Sequence, residues 1–131
     1  MKALRLHGIN DLRVEDIPAP KPAADEVLLK VLAAGICGSD LPRVFSKGAY
    51  HYPIILGHEF AGEITEAGEG VDPSLVGKMA AVFPLLPCFT CKACKEGHYA
   101  SCANYDYYGS RRDGAFAEYI AVKVWNLVLV P

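Results

Sequence analysis

Gly57-His58-Glu59-Phe60-Ala61-Gly62-Glu63-Ile64-Thr65-Glu66-Ala67-Gly68-Glu69-Gly70-Val71 admits two readings. Glu59, Glu63, Glu66, Glu69 and Asp72 recur every three or four residues, as they would on one face of a helix. Gly62, Gly68 and Gly70 oppose that reading, since each costs a helix interior about 1 kcal/mol relative to Ala. Phe60–Ala67 is therefore expected to be a strand entering a Gly68–Gly70 turn, its acids forming a solvated edge. With this segment a strand, the whole chain reads as β.

Upstream, Leu4 and Leu6, then Leu12 and Val14, alternate with polar partners, the pattern of half-buried strands. Pro18, Pro20 and Pro22 make a stiff connector that no helix interior tolerates. Glu26–Ala34 is dense enough in apolar residues to be a buried strand. Cys37-Gly38-Ser39-Asp40 then opens a short helix through Phe45, with Ser39 or Asp40 as its cap. Downstream, Lys78–Phe83, Ala115–Val122 and Leu127–Val130 are further strand candidates. Short strands punctuated by Gly and Pro turns describe a mainly β domain, a partly open barrel with short helices.

The chain has 131 residues, room for one domain of about 100–150 residues. Its 52% hydrophobic and 21% charged residues exclude disorder and collagen-like repeats. A net charge of −2 gives no reason to expect a nucleic-acid or acidic-membrane partner. The start, Met1-Lys2-Ala3-Leu4-Arg5, has no apolar stretch of signal-peptide kind. The apolar run Met79–Phe89 is broken by Pro84 and Pro87 and is too short to span a bilayer, which takes about 20 residues. The expectation is a cytoplasmic protein whose five cysteines stay reduced, available to metal or catalysis rather than disulfides.

Four of those cysteines follow the spacing Cys88-x2-Cys91-x2-Cys94-x7-Cys102. Four thiolates in one loop can close a tetrahedral shell around zinc, a structural site with no open position. Lys92, Lys95, Glu96 and Gly97 suit a solvent-facing lobe that buries little apolar surface, so the metal would act as its core. An iron–sulfur cluster competes, but its usual pattern brings the fourth Cys after three residues and then Pro. Here the gap is seven and Ala103 follows. A nucleic-acid-gripping zinc ribbon would need basic and aromatic surface beyond Arg111 and Arg112.

Gly57-His58-Glu59 is not a metalloprotease helix, because the position four after His58 is Gly62. Taken singly, His58 and Cys37 are the kinds of residue most often simply buried. Together they offer one borderline and one soft ligand beside Glu59, the composition of a catalytic zinc site with a place left for substrate.

Cys37-Gly38-Ser39-Asp40, Gly57-His58-Glu59-x2-Gly62-x5-Gly68-x2-Val71 and the four-cysteine lobe, in that order and spacing, resemble the zinc-dependent medium-chain alcohol and polyol dehydrogenases. The resemblance spans essentially the whole chain and implies that residues 1–131 are the GroES-like catalytic domain of such an enzyme. Cys37-Gly38-Ser39-Asp40-Leu41-Pro42-Arg43, Pro84-Leu85-Leu86-Pro87-Cys88-Phe89-Thr90-Cys91 and Gly109-Ser110-Arg111-Arg112-Asp113-Gly114 are most like the branch that oxidises galactitol 1-phosphate to a keto-sugar phosphate. Sorbitol, xylitol, butanediol or threonine are the alternative substrates within the class. A free-standing zinc-stabilised binding module is the alternative outside it.

The resemblance assigns Cys37 and His58 to a catalytic zinc, with Glu59 as ligand or neighbour, and Cys88, Cys91, Cys94 and Cys102 to a structural zinc. It makes Ser39 the hydroxyl that takes the substrate's proton. Relatives often carry a His three residues later, where this chain has Pro42, leaving His51 or ordered water as the proton outlet. A substrate phosphate would call on Arg43, Lys47, Arg111 or Arg112. The resemblance also implies NAD(P) as hydride acceptor and a homo-oligomeric full-length enzyme. No Gly-x-Gly-x-x-Gly is present, since Gly68-x-Gly70 meets Pro73. The dinucleotide-binding Rossmann domain and a remaining zinc ligand are accordingly expected beyond Pro131, and this portion alone is expected to be inactive.

Overall fold

Ten strands and two short helices carry the regular structure of this computed structural model, which describes Met1–Pro131. In chain order they are β1 (Lys2–Gly8), β2 (Asp11–Asp16), β3 (Glu26–Gly35), α1 (Asp40–Phe45), β4 (Ile54–Ile55), β5 (Glu59–Ala67) and β6 (Met79–Val82). Then come β7 (Leu85–Leu86), α2 (Lys92–Lys95), β8 (Asp106–Tyr107), β9 (Tyr119–Lys123) and β10 (Leu127–Val130). A five-stranded sheet in the order β10-β6-β5-β3-β9 faces a three-stranded sheet β2-β1-β4 across the core, and β7 pairs with β8 beside them. Every strand pair is antiparallel. The result is the expected mainly β, partly open barrel.

The doubtful segment is a strand. Phe60, Gly62 and Ile64 of β5 are buried while Glu59 is exposed and Ala61, Glu63 and Thr65 are half-buried, the alternation of period two. The extra residue Thr65, between the pairs Leu29–Ile64 and Leu28–Glu66, turns Glu66 outward. Its acids line the outer face of a central strand rather than an edge, because β5 has neighbours on both sides. Gly62 sits opposite an irregularity in β3 between Val31 and Ala33, where a Cβ would collide with the Lys30 carbonyl. The glycine that weakened the helical reading is thus explained by a bulge.

Three expectations shift. β3 is buried only at Val27–Leu29, and Leu32 is 55% exposed, because β9 covers no more than Glu26–Lys30. Val27 and Leu29 face the main core, whereas Leu28, between them, is buried on the other face of the strand. β2 is an outer strand with nothing over it, so Val14 is 70% exposed. The strand expected over Ala115–Val122 begins only at Tyr119. Ahead of it, the N–H groups of Gly114, Ala115 and Phe116 donate to the carbonyls of Ile55, Gly57 and Leu56 at 2.7, 2.9 and 2.9 Å.

The main core joins Val27, Leu29, Ile64, Ile120 and Val122 with the buried ring of Tyr108, whose hydroxyl accepts from the Lys123 N–H at 3.0 Å. A smaller core of Leu6, Val44, Ile54 and Leu56 seats α1 against the second sheet. No residue between Cys88 and Tyr105 belongs to either.

Candidate metal centre

The pairing of β3 with β5 ends at Gly35 opposite Glu59. Cys37 lies two residues past the end of one strand and His58 one residue before the start of the other. The register that buries Ile64 therefore also brings Cys37, His58 and Glu59 together. One ligand atom from each lies within 4.8 Å of the others. Gly35 makes room for the acid, because a Cβ there would stand 2.7 Å from Glu59 Oε2. Gly57 turns the chain into His58 with φ +97°, a left-handed conformation that favours glycine. A Cβ on Gly57 would also approach the Phe116 ring to 2.7 Å.

Asp40, 2% exposed, organises this corner. Its Oδ2 accepts from the Cys37 N–H at 3.1 Å, and its own N–H donates to the Cys37 carbonyl at 2.9 Å. Its Oδ1 lies 3.6 Å from His58 Nδ1 and 3.5 Å from Arg43 Nη1. His58 is buried and its Nδ1 has no hydrogen-bond partner, so the carboxylate supplies an oriented negative charge to the ring. Ser39 precedes α1 but its side chain caps nothing. The Ser39 hydroxyl and carbonyl instead accept from Arg43 Nη1 at 3.1 and 2.9 Å.

Of these groups Ser39, Arg43 and His58 open onto a cleft of about 450 Å³. Tyr50, Tyr105, Tyr107 and Arg111 line another part of it. The Tyr107 ring meets the His58 ring edge to face at 5.8 Å between centroids, and burial raises the Tyr107 hydroxyl pKa. Sequence reasoning passed over these tyrosines. Tyr105 and Tyr107, at i and i+2 beside β8, carried a signal in their spacing, since alternate residues of an extended segment share a face. Lys47 lines an adjoining hollow with Arg43 and Tyr50. His51 does not line the cleft; its Nε2–H donates to the Arg111 carbonyl at 3.1 Å. Arg112 faces elsewhere, with Nε on Asp106 Oδ2 at 2.6 Å and its guanidinium over the Tyr108 ring.

Cys88, Cys91, Cys94 and Cys102 converge separately, all four sulfurs within 4.8 Å and those of Cys88 and Cys94 4.0 Å apart. Thiolates about 2.3 Å from a tetrahedral zinc stand about 3.8 Å apart, so the set fits a single zinc ion. A cubane cluster needs its cysteines spread over four separate irons, which sulfurs gathered around one point do not provide. Hydrogen bonds aim the sulfurs: Thr90 Oγ1 and the Cys91 N–H donate to Cys88 Sγ, and the Cys88 N–H donates to Cys102 Sγ at 3.2 Å. The Thr90 hydroxyl leads the set that draws the Cys88 thiol down to about 5. Burial pushes Cys94 up to about 12. Phe89, Tyr99 and Trp125, packed edge to face at 5.2–5.6 Å between centroids, fasten the lobe to the segment between β9 and β10.

The sequence profile of the alcohol dehydrogenase GroES-like domain matches residues 23–131. Galactitol 1-phosphate 5-dehydrogenase of Escherichia coli K12 is 57% identical over 107 residues, 82% of this chain and 31% of the relative. The crystal structure of galactitol-1-phosphate dehydrogenase from Escherichia coli superposes with a TM-score of 0.95 at 50% identity, over 100% of this chain and 38% of the other. A short chain alcohol dehydrogenase from Escherichia coli CFT073, crystallised with NADH, gives 0.95 at 37% identity over the same shares, 100% and 38%. The chain thus spans about a third of the length of these relatives. No helix is long and apolar enough to cross a membrane. The fold, the two groups of side chains that could hold a metal and the matched profile agree, and the chain belongs to the alcohol dehydrogenase GroES-like domain family.

Proposed function

We propose that residues 1–131 are the zinc-bearing part of a longer NAD(P)-dependent dehydrogenase that oxidises a hydroxyl of a polyol phosphate, galactitol 1-phosphate being the favoured substrate. The observation that carries this reading is the convergence of Cys37, His58 and Glu59 at a cleft that also presents the Ser39 hydroxyl. A thiolate, an imidazole and a carboxylate from separate elements suit a catalytic zinc that keeps a position for substrate. When bound there, zinc supplies a Lewis acid that makes the substrate hydroxyl more acidic. Asp40 holds Cys37 and faces the His58 ring, fixing both donors before any ligand arrives.

Ser39 has the right inventory for the proton. One lone pair of its oxygen accepts from Arg43, the other is open to the substrate hydroxyl, and its own hydrogen can pass outward. Arg43 cannot take that proton, because a guanidinium stays charged; its hydrogen bond holds the Ser39 oxygen in place. With Pro42 in place of a histidine and His51 occupied by the Arg111 carbonyl, the proton leaves to water in the cleft. The four-cysteine lobe holds the structural zinc and takes no part in the chemistry, having no open position.

The zinc-loaded enzyme containing this domain, assayed for nicotinamide reduction, tests the reading. Galactitol 1-phosphate is expected to be oxidised with higher kcat/KM than galactitol, sorbitol or L-threonine, and Ser39→Ala to lower kcat by roughly 100-fold or more, as for loss of an acid–base group. Oxidation of sorbitol or L-threonine in preference would replace the polyol-phosphate assignment.

A further inference from the structure

The cleft beside His58 holds two arginines and no carboxylate among its lining side chains. Their situations differ. The guanidinium of Arg43 is committed to the Ser39 carbonyl and hydroxyl and lies 3.5 Å from the buried Asp40. Arg111 has no acidic partner within ion-pair distance. Its guanidinium carbon stands 4.7 Å from the centroid of the Tyr50 ring and 4.4 Å from that of Tyr105. One Nη2–H donates to the Tyr105 hydroxyl at 3.2 Å, and His51 holds the Arg111 carbonyl. Contacts with ring faces restrain the plane of a guanidinium while leaving most of its edge donors free. An exposed arginine ordinarily loses rotamer freedom when it binds an anion, and prior ordering removes part of that cost.

We propose that Arg111, ordered by Tyr50 and Tyr105, grips the phosphate of the substrate and sets the preference for phosphorylated over plain polyols. The inference rests on the polyol-phosphate reading above and assigns its recognition element. A planar fork of N–H donors matches two oxygens of a phosphate monoester, which a hydroxyl end of an unphosphorylated polyol cannot engage with charge. Tyr50 and Tyr105 are positioning residues that act through the guanidinium. Arg112, next in sequence, already serves Asp106 and is excluded from the role by its direction.

The test compares kcat/KM for galactitol 1-phosphate with that for galactitol in the zinc-loaded enzyme, since the ratio does not depend on how much protein is folded. Arg111→Met is expected to lower this ratio by about 10- to 100-fold, the worth of one charge-assisted contact. Equilibrium binding of galactitol 1-phosphate should weaken by a similar factor. Arg112→Met should leave the ratio within about threefold, being outside the cleft. Tyr105→Leu should lower it through KM rather than kcat. A wild-type preference for the phosphate that survives Arg111→Met overturns this inference and leaves the substrate assignment standing. No preference in the wild type, or a preference for the carboxylate of L-threonine, overturns both.

Discussion

Two sets of side chains that could each hold a metal ion, built on opposite principles, share this small barrel. The lobe draws Cys88, Cys91, Cys94 and Cys102 from one run of chain, and neither hydrophobic core reaches it. The cleft set draws Cys37 from after β3 and His58 and Glu59 from the start of β5, so it exists only because those strands are paired in register. In the lobe a bound metal would stand in for a core. In the cleft a core stands behind the metal site. The barrel therefore has reason to survive loss of zinc from the cleft, whereas the lobe has little beyond zinc and its Phe89, Tyr99 and Trp125 seam.

The sharpest way to break that contrast is Cys102→Ser. Cys102 is buried and receives the Cys88 N–H, so its loss removes a ligand and a hydrogen bond that folds the lobe back on itself. We expect one zinc fewer by elemental analysis and loss of amide-exchange protection throughout residues 88–105, with β3, β5 and β9 still protected. A lobe that stays protected without zinc would mean that its aromatic seam suffices. Cys37→Ala comes next. It should also remove one zinc per chain, yet leave amide protection in both the lobe and the barrel unchanged. Melting of β3 or β5 in that variant would make the cleft metal a structural one.

Asp40→Asn sharpens the comparison further. The amide oxygen can still accept from the Cys37 N–H, but the charge facing His58 Nδ1 and Arg43 disappears. Chelator competition should show zinc at the cleft held about 10- to 100-fold less tightly, the usual effect of losing such a supporting carboxylate, with zinc in the lobe untouched. Retention equal to wild type would reduce Asp40 to a pin for the Cys37 loop.

How far the sequence could be read follows the same division. That Cys88, Cys91, Cys94 and Cys102 converge was legible because they are local in sequence and their spacing folds them into one loop. Cys37 and His58 could be paired by their ligand chemistry, but only the resemblance to dehydrogenases argued that they meet, since no periodicity tells which strand lies beside which. The strand at β5 was recoverable from its glycines, yet its central place in the sheet was not, because alternation reports a face and never a neighbour. β4, β7 and β8 have two residues each, below any detectable period. Arg111 and Arg112 are indistinguishable in sequence. Only their opposite directions, one toward Tyr50 and Tyr105 and the other toward Asp106, separate a cleft cation from a structural one.

The smallest effect belongs to Thr90, and its size is the point. Its hydroxyl donates to Cys88 Sγ at 3.5 Å, a long contact at the exposed rim of the lobe, and leads the influences that favour the Cys88 thiolate. The Cys91 N–H donates to the same sulfur at 3.4 Å, and no side-chain substitution removes a backbone donor. Thr90→Val should therefore raise the Cys88 pKa above its present value of about 5, yet weaken zinc retention in the lobe only about threefold in a chelator competition near neutral pH. Asp40 has no such backbone understudy, since the charge it turns toward His58 comes from its side chain alone. A loss at Thr90→Val as large as that at Asp40→Asn would show that the lobe, too, depends on side chains to hold its thiolates. Its local sequence would then fix the positions of the four sulfurs without fixing their charge.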